Sequence, residues 1–289
     1  MTATVTTQFR TQFDSSLRVV AQQSESRLMK TALDRGTISG DSFTENRLGS
    51  AGDLDENVVR HGDTTWSEIE HSARIVYMRD FFKALPLDVA DIPKMIANPV
   101  TGGQYMQALI AARNRRIDKM IYEAAGAAIQ LKDGSGTVAL PSGQKIVAGA
   151  TGLTKAKIIQ AKTMFRAAEA DEFAGSELVM LYNSVAMGQL LSDTTLTSGD
   201  YMQARMLQDG KLMGSFLGFE WIPYEAISVA GGTYTTFAYA KKSIHFGRGY
   251  EIGSVDKRPD KKNSWQVSMA ASYGAGREDE TKVVQIDFV

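Results

Sequence analysis

Apolar residues recur at three- and four-residue spacing over one long stretch of the chain. Between Gln104 and Leu131, residues Met106, Ile110, Ile117, Met120, Ile121, Ala124 and Ala128 would share one helical face. Only Gly126 interrupts the rhythm. At about 1.5 Å per residue this element would reach roughly 42 Å, long for a globular helix. Its middle is basic, with Arg113, Arg115, Arg116 and Lys119. A second helical pattern starts at Thr154, a residue type that caps helices, and runs to Phe173 with Ile158, Ala161, Phe165 and Ala168 on one side. Asn183 or Ser184 is expected to cap a third, short helix ending at Leu191.

Other segments have the strand rhythm. Glu177–Tyr182 (ELVMLY) predicts a buried strand, and Lys211–Pro223 and Tyr234–Phe246 are strand-like and aromatic. Two more strands are predicted at Trp265–Tyr273 and Lys282–Phe288, the latter alternating as VVQIDF. The apolar runs Val58–Val59 and Ile75–Tyr77 are expected to pair as a long extended hairpin. Residues 1–40 are polar with a thin apolar face, which reads as an arm that needs a partner surface. Three prolines and a closing Gly102–Gly103 make 85–103 a connector, and the Gly- and Ser-rich 133–152 reads as a loop or small hairpin. Helices and strands mix without a regular βαβ rhythm, and no fixed-period repeat is visible. The class is α+β.

Composition narrows the function. At 289 residues and 43% hydrophobic the chain can bury a core across about two lobes. A net charge of −1 argues against a dedicated nucleic-acid binder and against a polybasic membrane-surface protein. No run approaches the ~18 apolar residues of a membrane helix, and the N-terminus lacks the apolar core of a secretory signal. The expectation is a soluble protein, cytosolic or particle-borne. With no cysteine, disulfides, thiolate metal sites and thiol nucleophiles are excluded. Charge is unevenly spread. Residues 41–70 hold eight carboxylates against Arg47 and Arg60, a local −6, and no lysine lies between Thr31 and Phe82. Residues 104–132 carry +3.

The search for catalytic chemistry finds little. The Gly210–Lys211 pair has Arg205 where a phosphate-binding loop needs its earlier glycine. Gly274 and Gly276 begin a dinucleotide fingerprint, but Asp279 replaces the third glycine, and a turn between terminal strands is the simpler reading. There is no Gly-x-Ser-x-Gly elbow. The three histidines, His61, His71 and His245, include no pair at helix-face spacing; His61 and His71 could meet across the hairpin, or simply be solvated. Carboxylates are plentiful and none stands out. Lys257, Arg258, Lys261 and Lys262 form either a solvated loop or a nucleic-acid contact. The aromatic stripe Phe216, Phe219, Trp221 and Tyr224 is read as core packed on an aromatic partner strand (Tyr234, Phe237, Tyr239) rather than as a base-stacking platform.

Three phrases carry a family resemblance: HGDTTWSEIEHSARIVYMRDFFKALPLDVADIPKMI at 61–96, YMQALIAARNRRIDKMIYEAA at 105–125, and LVMLYNSVAMGQLLSD at 178–193 followed by GKLMGSFLGFEWIPYEAI at 210–227. With the polar arm, acidic hairpin and long helix in that order, the chain resembles the major capsid proteins of tailed bacteriophages, most of all those of short-tailed phages. These share the Hong Kong 97-type fold. The resemblance implies an N-terminal arm at 1–40, an extended E-loop at 41–82, a P domain at 83–150 with a spine helix at 104–131, an A domain at 151–250, and C-terminal strands at 251–289 returning to the P domain. It implies that copies assemble as hexamers and pentamers into an icosahedral shell around double-stranded DNA, in the host bacterial cytoplasm, with a separate scaffolding protein and a portal protein as partners. No enzyme activity, cofactor, metal or membrane is implied.

In such a shell the E-loop of one subunit lies over the spine region of the next. The implied intersubunit residues are Asp53, Asp55, Glu56 and Trp66 on the loop, with Arg113, Arg115 and Arg116 on the helix. Arg10 and Arg18 are the implied DNA-side contacts. Arm and loop together use all 103 residues before the helix, so a separate scaffold and an uncleaved N-terminus are expected. An encapsulin-type nanocompartment shell has the same fold and is the nearest alternative; a cytosolic enzyme using carboxylates is a distant one.

Overall fold

The structure, a computed structural model, describes residues 22–54, 62–63, 66–92, 103–172, 175–192 and 215–289. Among these the elements run β1 (Leu33–Thr37), β2 (Ser42–Leu48), β3 (His71–Tyr77), β4 (Arg79–Leu87), α1 (Gln104–Gly126), β5 (Ile129–Leu131), β6 (Thr137–Val138), β7 (Lys145–Ile146) and α2 (Lys155–Ala167). They continue with β8 (Leu178–Tyr182), α3 (Ser184–Ser192), β9 (Ser215–Phe216), β10 (Phe219–Pro223), β11 (Ser228–Ala230), β12 (Thr233–Ala240), β13 (Ile244–Arg258), β14 (Ser264–Arg277) and β15 (Val283–Phe288). The class is α+β, as the mixed rhythm predicts. Among the described residues no helix is long and apolar enough to cross a membrane.

Two compact units divide the chain. One comprises the described residues of Met1–Glu25, Phe81–Arg115 and Glu251–Ala271; the other comprises Ser26–Asp80, Arg116–Tyr250 and Ser272–Val289. The second holds the largest sheet, ordered β7-β15-β12-β8-β10-β9 with β11 on β12. At its centre β8 is buried at every position, because β10 flanks it in parallel and β12 antiparallel. The two aromatic strands therefore do not pair directly, as the sequence suggests: the apolar β8 lies between them. α2 and α3 supply Ile158, Ala161, Phe165, Ala186 and Leu190 to the same core. Phe165 meets Phe219 edge-on with ring centres 6.1 Å apart, and Tyr182 meets Trp221 at 5.8 Å. β15 runs antiparallel to β12, from Tyr234↔Phe288 to Tyr239↔Val283. The last strand thus joins the sheet of residues 178–240, whereas β13 and β14 lie in a different sheet, ordered β1-β13-β14-β4.

Two helices end earlier than their apolar rhythm suggests. α1 stops at Gly126 rather than Leu131, because residues 129–131 form β5, in which Leu131 and Gln130 pair with Arg74 and Ile75 of β3 and Ile129 pairs with Val138 of β6. A Cβ at Gly126 would lie 2.6 Å from the Phe237 ring, so the glycine lets that ring close over the helix end. α2 stops at Ala167 rather than Phe173. Glu169 adopts a left-handed φ of 52°, and the amides of Ala170 and Glu169 return to the carbonyls of Phe165 and Arg166. That is a Schellman ending built without glycine, so the residue types do not announce it. Thr154 is the N-cap residue, without a side-chain bond to the helix. Asn183 Oδ1 accepts the Ala186 amide at 2.9 Å and caps α3.

β2 and β3 form the extended hairpin, in register from Ser42↔Tyr77 to Leu48↔His71. Ile75–Tyr77 pairs with Ser42–Thr44; Val58–Val59, the partner expected from sequence, lies outside the described residues. Phe43 and Val76 face one another and are buried, which sets the register. Gly274 and Gly276 are not in a turn. Both sit inside β14, where they let β3 and the residues after it come close: a Cβ at Gly274 would be 3.1 Å from the Tyr77 carbonyl, and one at Gly276 would be 2.3 Å from Val76 Cγ2. Gly276→Ala should therefore cost about 1–3 kcal/mol by overpacking. Thermal unfolding measures it against Gly143→Ala, where a Cβ meets nothing within 4 Å. Equal melting temperatures for the two variants would show that the hairpin has slack above β14.

Candidate functional site

Beyond the last paired residues of the hairpin, Leu54 is 101% exposed and Trp66 92% exposed. Leu48 and Tyr77 are also exposed on the paired part. Large apolar side chains left bare on one hairpin mark a contact surface. Of the loop residues singled out from sequence, Asp53 is exposed close to Leu54, while Asp55 and Glu56 lie outside the described residues. Arg10 and Arg18 lie outside them too.

The root of the hairpin is held by charge. Arg74, on β3, donates from Nη2 to Glu280 Oε2 at 2.6 Å and from Nη1 to the Arg277 carbonyl at 3.1 Å. Arg47, opposite on β2, lies 3.6 Å from Glu280 and 3.2 Å from Asp279. Arg277 has no exposed surface. Its Nη1 donates to the carbonyls of Ala125 and Ala127 at 2.7 and 3.1 Å, and its Nη2 to Glu280 Oε1 at 3.4 Å. Desolvation pulls the Arg277 pKa below its usual value, and Glu280 opposes that pull. One carboxylate thus joins both hairpin strands to the guanidinium that caps α1. A second buried pair ties β2 to β13: His245 Nδ1 stands 2.5 Å from Glu45 Oε1 and 3.0 Å from Arg35 Nη2.

The three spine arginines lie on α1, and all three already have partners in the chain. Arg113 Nη1 lies 3.3 Å from Glu251, and its Nε and Nη2 donate to Asn114. Arg115 Nη1 donates to Gln22 Oε1 at 2.7 Å and to the Gln23 carbonyl at 3.2 Å. Arg116 Nη2 lies 3.6 Å from Met120 Sδ. On the same helix the buried Asp118 accepts from Ser26 Oγ at 2.5 Å, the Leu28 amide at 3.1 Å and the Arg27 amide at 3.0 Å. Thr31 and Tyr239 add a hydroxyl contact of 2.7 Å, so residues 26–31 are pinned. Sequence reasoning missed Asp118 and the Arg277–Glu280 cluster. A signal existed for Asp118, which shares its helical phase with the apolar Ile121, Tyr122 and Ala125.

A family model described as "Phage capsid protein" matches residues 5–289. The fold is similar to that of a cyanophage Pam1 capsid protein, with a TM-score of 0.73 and 14% identity over 99% of this chain and 98% of that one. It is similar to a Gordonia phage Cozz chain at 0.70 and 15%, covering 98% and 92% of the two chains. It is likewise similar to a Mycobacterium phage Che8 chain at 0.68 and 14%, covering 96% of each. Among curated proteins no match is found.

Replacing Asp118 tests how the N-terminal segment is held. Asp118→Ala leaves two amides and a hydroxyl without their acceptor, at a cost of about 1–3 kcal/mol. Trypsin should then cut after Arg27 and Lys30 several-fold faster than in the wild type, while Lys157, whose amine is held by three carbonyls, stays protected. Unchanged cleavage at Arg27 would show that other contacts hold the segment.

Proposed function

The chain belongs to the phage capsid protein family, and on that premise we propose that its hairpin and its long helix are the surfaces through which neighbouring copies join. It is a major capsid protein that assembles with itself into the shell of the virion, and its α+β fold agrees with the Hong Kong 97-type. The finer reading is ours. Copies form hexamers and pentamers around double-stranded DNA, built in the host cytoplasm with a scaffolding protein and a portal. The chain is a structural protein without a reaction of its own. The hairpin region 41–82 acts as the E-loop and α1 as the spine helix. The segments 1–40, 83–150, 151–250 and 251–289 act as arm, P domain, A domain and C-terminal strands, with β15 taking its place in the sheet of residues 178–240.

One observation carries the intersubunit reading: Leu54 and Trp66 are bare on a hairpin whose root is rigidly tied down. A rigid arm ending in apolar side chains suits a socket on another copy. Purified protein should form pentamers, hexamers or megadalton particles on size exclusion and in electron micrographs. A monomer, dimer or tetramer at every concentration would overturn the assignment. With no lysine between Thr31 and Phe82, the loop offers no amine for an isopeptide link to a neighbour. Intact particles boiled in detergent should therefore run as one band near 31.5 kDa, without a ladder.

The charge asymmetry gives a second test. We read Asp53, Asp55 or Glu56 of one copy as facing Arg113, Arg115 or Arg116 of the next. Each exposed pair contributes only ~0.2–1 kcal/mol, but the contact repeats over every interface. Arg115→Glu combined with Arg116→Glu should lower shell yield at low salt and close the gap with wild type near 1 M, where the screening length is ~3 Å. Wild-type yield from the variant at low salt would remove the pairing.

A further inference from the structure

We propose that Glu280 and Arg277 are positioning residues for assembly, setting the direction in which the hairpin leaves the body and so the geometry of the shell. This rests on the reading of the hairpin as the intersubunit arm. The bonds form an unbroken series. Arg277 grips the end of α1 through Ala125 and Ala127; Glu280 joins Arg277 to Arg74; Arg74 and Arg47 lie on opposite strands of the hairpin. Arg74 and Arg277 are buried, so water cannot take over a lost bond.

The chemistry makes the arrangement directional. Three guanidinium groups meet on one carboxylate from three elements, β2, β3 and β14. Without that charge they repel one another, and the repulsion acts where β2 and β3 meet the end of β14. Beside the cluster, Gly276 lets Val76 sit directly on β14, so the hairpin has one close-packed pivot and one charged lock. Neither Gly276 nor Glu280 belongs to the apolar core between α2 and the large sheet. A change at the lock should therefore redirect the arm while the core stays intact.

The test uses the full-length protein in three forms: wild type, Glu280→Gln, and Phe165→Leu as a control. Phe165 lies in the large-sheet core, and the control reports what loss of stability alone does to assembly. Hydrogen exchange of the β2 and β3 amides should accelerate at least about tenfold in Glu280→Gln, with the β8 and β12 amides nearly unchanged. Its particles should differ from wild type in diameter or close aberrantly in electron micrographs. Phe165→Leu should give fewer particles of wild-type size. If Glu280→Gln does not fold, Arg47→Gln makes the same test from the more exposed side of the cluster, with a smaller effect in the same direction. Wild-type-sized particles together with hairpin exchange no faster than in Phe165→Leu would overturn the proposal alone. A wild-type chain that forms neither pentamers, hexamers nor particles would overturn the reading beneath it, and the proposal with it.

Discussion

Burying a guanidinium is costly unless it is paired, and removing the partner of such a group leaves an uncompensated charge in a poorly solvated place. In this chain that constraint falls on Arg277. The last carbonyls of a helix lack intrahelical partners and form the negative end of its dipole, so a cation there is doubly suited. Arg277 takes up two of the carbonyls at the end of α1 and needs Glu280 close by. Glu280 then becomes the anchor for the hairpin through Arg74 and Arg47. The end of the helix, the end of β14 and the root of the hairpin are consequently one electrostatic unit.

Around it the chain uses two kinds of packing. In the large sheet the energy is apolar: β8 is buried on both faces, and α2 and α3 cover it with aliphatic and aromatic side chains. Under the hairpin the packing depends on missing side chains. Gly274 and Gly276 remove the Cβ atoms that would hold β3 away from β14. The first arrangement tolerates small changes of volume better than the second, where a single methyl meets a neighbouring side chain.

A subunit that must meet many identical neighbours has to leave some apolar surface bare until they arrive. On the proposed reading, Leu54 and Trp66 supply it on the hairpin, in a segment whose acidic residues favour solubility. Polar anchors inside the chain do the opposite task. Asp118 holds residues 26–28 by accepting from two backbone amides and a hydroxyl, and Lys157 ties Ala148, Thr151 and Asp287 together through their carbonyls. Burial lowers the Lys157 pKa, the cost of using an amine as an internal clamp.

Periodicity in the sequence determined what is local: the long helix, the face of α2 with Ile158, Ala161 and Phe165, a cap at Asn183 or Ser184, and the strands at 178–182 and 283–288. The order of segments determined the family, and the distribution of charge marked the acidic loop and the basic helix. Tertiary structure alone decided which strand β3 pairs with, that β8 separates the two aromatic strands, where α1 gives way to β5, and what Gly276 is for. It also decided that Arg277, Arg74, Arg47 and Glu280 meet. An arginine in a strand reads the same whether it is solvated or buried, because its environment comes from residues as far as 206 positions away. A helix or strand declares itself through neighbours three, four or two residues along, whereas a buried charge is defined by partners that only the folded chain brings within 3 Å.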